Sequence, residues 1–281
     1  MNYRHIFHAG NFADLFKHAA LLSWLKAMQA DFADLRIIDT HAGAGLYDLS
    51  DPAQQRSREA EAGIARMMAR DIPPALKPLA EQVAAYNPKG GIEVYPGSPR
   101  LICDVLRTED HYTGCELREE VFGFLARALK GQGEARLEDG FGFARQEVHR
   151  KSDARYALLI DPPFEQADDY LQIADTISTS LKAVRGGGGS VSALVWLPLK
   201  DLETLDSFVR RLEAQSLPET LIAEARLRPL VDPMRMNGCA LVVVNPPKGL
   251  ETILLAQAEA IVTTLGEPSG RAKVWSVGQV G

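Results

Sequence analysis

Apolar runs of four to seven residues recur along this chain, each followed by a stretch with helical periodicity, and that alternation restricts the fold more than any other feature. The runs are Leu35–Asp39, Tyr112–Glu116, Ala135–Asp139, Tyr156–Asp161, Ser192–Leu197, Leu221–Leu227 and Cys239–Asn245. Continuous rather than alternating hydrophobicity marks strands covered on both faces, as in a parallel sheet wrapped by helices. Seven such runs predict one doubly wound α/β domain with a mostly parallel seven-stranded sheet. Helices are expected over 11–29, 117–130, 168–184, 201–214 and 250–265, with the GGGGS of residues 186–190 ending the third.

One region breaks the rhythm. From Asp48 to about Gly91 the chain is rich in Arg, Glu and Ala, and Pro73, Pro74, Pro78 and Pro88 punctuate it. Residues 48–91 are therefore expected to be an inserted helical subdomain, with 1–47 and 92–281 forming the Rossmann-like unit and 1–30 an N-terminal tail and helix.

Composition narrows the function. Of 281 residues, 46% are hydrophobic and 24% charged, which excludes wholesale disorder. Lys and Arg total 31 against 37 for Asp and Glu, a net charge of -6, so a bulk electrostatic nucleic-acid binder is excluded but a local basic site is not. Three widely spaced cysteines, Cys103, Cys115 and Cys239, make neither a disulfide framework nor a zinc site. They fit buried small residues in a reducing cytoplasm. No secretory signal or membrane-spanning run is apparent.

In a parallel sheet, ligands gather beyond the carboxyl ends of the strands. The first run ends in Asp39-Thr-His41-Ala-Gly43-Ala-Gly45, a turn allowing close backbone approach, though not the GxGxxG of a dinucleotide site. The second ends in Glu116, which can accept two ribose hydroxyls or simply begin a helix. The third ends in Asp139-Gly140, either an adenine-amino acceptor or a plain turn. The fourth ends in Asp161-Pro162-Pro163-Phe164. Its prolines cannot extend the ladder and leave carbonyls facing outward. With an acid before them and a ring after, they can grip the amino group of a flat base. A similar Asn245-Pro-Pro-Lys248 lacks the ring and reads as structural.

The N-terminal Tyr3-Arg4-His5-Ile6-Phe7-His8 interleaves aromatic and cationic residues, suited to stacking and phosphate contact with single-stranded nucleic acid, or to an ordered tail. No acidic cluster accompanies its histidines, so metal is not expected.

Together YRHIFHAGNFADLFKH, DTHAGAGLY, YPGSP, the strand ending in Glu116, EDGF and LIDPPF resemble the RlmJ-type family of bacterial 23S ribosomal RNA adenine-N6 methyltransferases, over nearly the whole chain. The resemblance implies a class I fold using S-adenosyl-L-methionine. His18, His41, Ser98, Glu116, Asp139 with Gly140, and Asp161 match that family's cofactor positions, with Lys17 adjoining. Asp39, Gly43 and Gly45 belong to the same glycine-loop motif. Asp161, with Pro162 and Phe164, matches the catalytic loop, although Tyr is commoner than Phe in the last place. Tyr3, Arg4, His5 and Phe164 would meet the substrate. The implied partner is 23S rRNA, naked or early in assembly, for a cytoplasmic monomer without metal or membrane. A DNA adenine-N6 methyltransferase would use the same clamp. A glutamine-amide methyltransferase and a non-catalytic adenosine- or RNA-binding module are further alternatives.

Overall fold

In the computed structural model, residues 8–51, 58–199, 201–215, 217–231 and 236–278 are described. The strands are β1 (Arg36–Asp39), β2 (Leu46–Asp48), β3 (Val94–Pro96), β4 (His111–Cys115), β5 (Glu134–Arg136), β6 (Arg155–Ile160), β7 (Ser190–Leu199), β8 (Thr220–Arg226), β9 (Gly238–Val244) and β10 (Arg271–Val277). The main helices are α1 (Phe12–Asp31), α2 (Lys77–Tyr86), α3 (Ser98–Val105), α4 (Glu119–Leu129), α5 (Gly140–Arg150), α6 (Asp169–Gly187), α7 (Leu202–Glu213) and α8 (Leu250–Leu265).

Eight strands form one sheet in the order β10-β8-β9-β7-β6-β1-β4-β5, with β2 and β3 paired separately. The five strands β7, β6, β1, β4 and β5 run parallel, and the β7–β9, β9–β8 and β8–β10 pairs are antiparallel. The sheet thus has eight strands rather than the seven expected. The extra one, β10, is an edge strand whose outward Arg271 and Lys273 break any continuous apolar run.

Side chains on the sheet alternate between two apolar layers. Ile37, Leu194 and Val243 pack with α1 and α8, whereas Ile38, Val195 and Val242 pack with α5, α6 and α7. Alternation within each run puts both faces to work, which is why these strands read as solid hydrophobic blocks. The three cysteines are free and buried within this framework.

Between β2 and β3 lie a π-helix at Glu61–Ala65 continuing as Arg66–Met68, a 3-10 turn at Pro74–Leu76, and α2. Their buried Ile64, Met67, Leu76, Leu79 and Val83 join the same apolar layer as α1 and α8. Asn11 starts α1, its side chain accepting from the Ala13 and Asp14 amides. The long α6 ends on Gly188 in the left-handed region, the conformation a glycine supplies most readily.

Candidate active site

Strand order changes direction at β1: the chain leaves β1 for β4 on one side, while β6 borders the other. Register sets Asp39 of β1 level with Gly114 of β4 and Leu159 of β6, so the segments after these strands emerge side by side. Backbone bonds tie them together, with the Thr40 amide donating to Leu159 and the Ala42 amide to Cys115.

A cleft of about 760 Å³ opens there, lined by the turn after β1, the start of α4, the first turns of α5 and the loop between β6 and α6. Its volume falls in the range of small-molecule sites, roughly 300–1,000 Å³. Of the residues singled out from the sequence, His41, Gly43, Glu116, Asp139, Gly140, Asp161 and Pro162 line it. Residues as far apart in sequence as Thr40 and Gln172 are thereby brought to one cleft.

Glycine geometry explains how the wall closes. Gly43 has φ +68°, and a Cβ on it would lie 2.6 Å from the Tyr47 hydroxyl. A Cβ on Gly140 would lie 2.0 Å from the Thr40 carbonyl oxygen, so only glycine lets α5 start against the β1 turn. Asp139 caps α5, accepting from the Phe141 and Gly142 amides at 3.2 and 2.8 Å. Glu116 is half-buried, and burial pushes its pKa up while the Arg118, Gly43 and Leu117 amides favour its charge. His41 lies against Phe141, and burial lowers its pKa to about 4, so the ring is neutral at pH 7.

Asp161 is held from outside the cleft. The Lys17 ammonium is 2.6 Å from its Oδ2 and 2.8 Å from Asp14 Oδ1. Burial penalises the Lys17 charge, but the two carboxylates more than offset it and its pKa lies well above the ordinary lysine value. Asp161 itself lines the cleft, so the ion pair joins the first helix to the cleft wall.

Six sequence candidates, Lys17, His18, Asp39, Gly45, Ser98 and Phe164, stand outside the cleft lining. Lys17 spans the two acids. His18 shares a 2.7 Å hydrogen bond with the Tyr95 hydroxyl and stacks on its ring. Asp39 is fully buried and accepts from the Ser98 hydroxyl at 2.7 Å. Burial raises its pKa to about 6, with the Ser98 bond acting against that rise. Gly45, at φ +78°, packs against Ala128 and Pro99. Phe164 has φ +53°, and its ring packs on Tyr170 and Trp196 at 5.0 and 5.8 Å rather than on the cleft. Tyr3, Arg4 and His5 lie outside the described residues.

Sequence reading missed Leu117, Phe124 and Phe141, which supply apolar and aromatic lining, and the role of Asp14. The signal for Leu117 was its position directly after Glu116; Asp14 and Lys17 show the i,i+3 spacing of a helical ion pair. The Asn245-Pro-Pro segment leaves the opposite edge of the sheet, because β9 runs antiparallel to β7 and Val244 pairs with Ala193 near the start of β7. Asn245 there donates to the Val191 carbonyl, a structural role.

The family model described as ribosomal RNA large subunit methyltransferase D, RlmJ, matches residues 33–277. The chain is 32% identical over 253 residues to ribosomal RNA large subunit methyltransferase J of Escherichia coli (strain K12), covering 89% of each. It is 29% identical over 281 residues to the protein of that name from Haemophilus influenzae, covering 99% of this chain and 98% of the other. A crystal structure of a Legionella pneumophila protein superposes with TM-score 0.85 at 26% identity, covering 98% of this chain and 100% of that one. The chain, with its Rossmann-like class I fold, therefore belongs to the RlmJ family of ribosomal RNA large subunit methyltransferases.

Proposed function

We propose that this protein transfers a methyl group from S-adenosyl-L-methionine to the exocyclic N6 of an adenine in 23S rRNA. The observation that carries the reading is the Asp161-Pro162-Pro163 loop, held by Lys17 at the mouth of a cleft shared with the glycine turn.

The donor set fits this cofactor. The cleft is lined by Glu116, Glu120, Asp139, Asp161, Glu165, Asp168 and Asp169 against only Arg118 and Arg145, an acidic surround that favours a cationic sulfonium and ammonium. Glu116 would accept ribose hydroxyls, and Asp139 with the apolar Leu117 and Phe141 would hold the adenine end. When bound, the cofactor supplies an electrophilic methyl group. His18, Ser98 and Asp39 support the wall from behind.

Adenine N6 is a weak nucleophile because its lone pair is delocalised into the ring. Asp161 Oδ1 and the Pro162 carbonyl would accept its two hydrogens and fix the nitrogen's approach. Lys17 holds the other carboxylate oxygen, so orientation is set before the base arrives. The N6 proton would leave late to Asp161 or to solvent. A base within a helix cannot reach this pocket, so the target is unpaired or flipped. Tyr3, Arg4 and His5 would meet the RNA, and the 48–91 insertion would ride on the catalytic fold.

Incubation with methyl-labelled cofactor tests the reading, with deproteinised large-subunit RNA and duplex DNA offered separately. Label should enter the RNA; label entering DNA alone would overturn it.

A further inference from the structure

The turn that precedes α1 is docked onto the insertion by an unusually complete set of contacts. Glu59 receives the His8 ring nitrogen Nδ1 on Oε1 and the Asn11 side-chain amide on Oε2, both at 2.9 Å. The Gly10 carbonyl accepts from the Ile64 amide at 2.9 Å, inside the π-helix. A Cβ on Gly63 would lie 2.1 Å from that carbonyl oxygen, so the two backbones touch. Gly10 itself has φ +78° and donates its amide to Asp14 Oδ2 at 3.1 Å.

Asp14 is also the residue that pairs with Lys17, and Lys17 pairs with Asp161. Asn11 uses both ends of its amide: the oxygen caps α1 while the nitrogen reaches Glu59. A polar chain thus runs from the insertion through Glu59, Asn11, Asp14 and Lys17 to the loop after β6. The local helix widens into a π turn where it meets Gly10, a form frequent at functional sites.

We infer that Glu59 is a positioning residue, which seats the turn at residues 8–11 on the insertion and thereby fixes the Lys17–Asp161 pair. Contiguity becomes coupling only when a change at one end moves the other. The insertion is then part of the device that orients Asp161.

The test compares Glu59→Ala and Glu59→Gln with the unaltered full-length protein. Glutamine keeps an oxygen for Asn11 and a polar atom for His8. The first readout is amine labelling of Lys17, followed by peptide mass spectrometry with exposed Lys89 as the internal control. Lys17 should be strongly protected in the unaltered protein and label roughly tenfold faster in Glu59→Ala, with Glu59→Gln close to the unaltered rate. This arm is independent of the reaction. The second arm rests on the proposed activity: kcat should fall roughly tenfold in Glu59→Ala and recover in Glu59→Gln, with cofactor affinity little changed. Unaltered Lys17 labelling in a folded Glu59→Ala protein would overturn the inference. So would labelling that rises equally at Lys17 and Lys89, since that reports general loosening. Absence of methyl transfer by the unaltered protein would count against the proposed activity and leave the labelling arm decisive.

Discussion

The Lys17 ammonium lies 2.6 Å from Asp161 Oδ2, joining the first helix to the loop after β6 across 144 positions of sequence. Lys17 is also bound to Asp14, so one buried cation serves two carboxylates. Each end of this triad depends on the other for its charge balance.

Replacing Lys17 with Met should leave two carboxylates facing each other without a cation. Removing one member of a buried ion pair destabilises by about 3–5 kcal/mol. Urea denaturation should show a loss of this order, and methyl transfer should fall with it. Asp161→Asn should destabilise less, because Asp14 still neutralises Lys17, while transfer should fall by roughly a hundredfold or more. Equal stability of all three proteins would argue against the triad.

The buried Asp39 gives a pH signature. Its pKa is raised to about 6 from 3.8, so between those values the folded chain holds a proton that the unfolded chain has released. Stability contributed by this group is therefore complete below the unfolded value and is lost as pH rises through the folded one. Asp39→Asn keeps an acceptor for Ser98 but does not titrate. The melting-temperature difference, variant minus unaltered protein, should move in the variant's favour between about pH 4 and about pH 7. A constant difference across that window would contradict the burial argument.

Gly140 should not tolerate even a methyl group. The added Cβ would meet the Thr40 backbone oxygen at 2.0 Å, so either α5 or the β1 turn must shift. Overpacking of this kind costs about 1–3 kcal/mol or more. Gly140→Ala should lose cofactor affinity by isothermal titration, whereas Gly131→Ala, in open space, should keep it despite its own strain at φ +79°. Matching affinities would show that the contact is dispensable.

The proposed ring contact is tested at Phe164. Its backbone is left-handed and its ring sits with Tyr170 and Trp196, so facing a base would require the ring to turn toward the cleft. Phe164→Tyr should retain transfer and Phe164→Leu should lower it by roughly tenfold or more, since base stacking is worth about 1–3 kcal/mol. Comparable rates in all three would assign the ring to packing alone.

Much of this arrangement was legible in the sequence because strand ends leave local marks. Asp161-Pro-Pro, Glu116 and Asp139-Gly140 each close an apolar run, and a parallel sheet gathers such ends at one edge. The α8 boundaries follow directly from hydrophobic periodicity. β10 was not legible, since an edge strand with alternating exposed cations carries no solid apolar run. α5 was hidden by the glycines of its first turn, which read as loop. The burial of Asp39 and Ser98 and the pairing of Lys17 with Asp161 are three-dimensional facts, set by how α1 and α3 pack beneath the β1 turn.

The most direct test of the account is the chemical identity of the methylated nucleoside. Large-subunit RNA treated with the protein and labelled cofactor should be digested to nucleosides and resolved by mass spectrometry. Labelled N6-methyladenosine should form with the unaltered protein and fall by roughly a hundredfold or more with Asp161→Asn. Label on a ribose hydroxyl or a ring nitrogen, or an undiminished yield from Asp161→Asn, would contradict it.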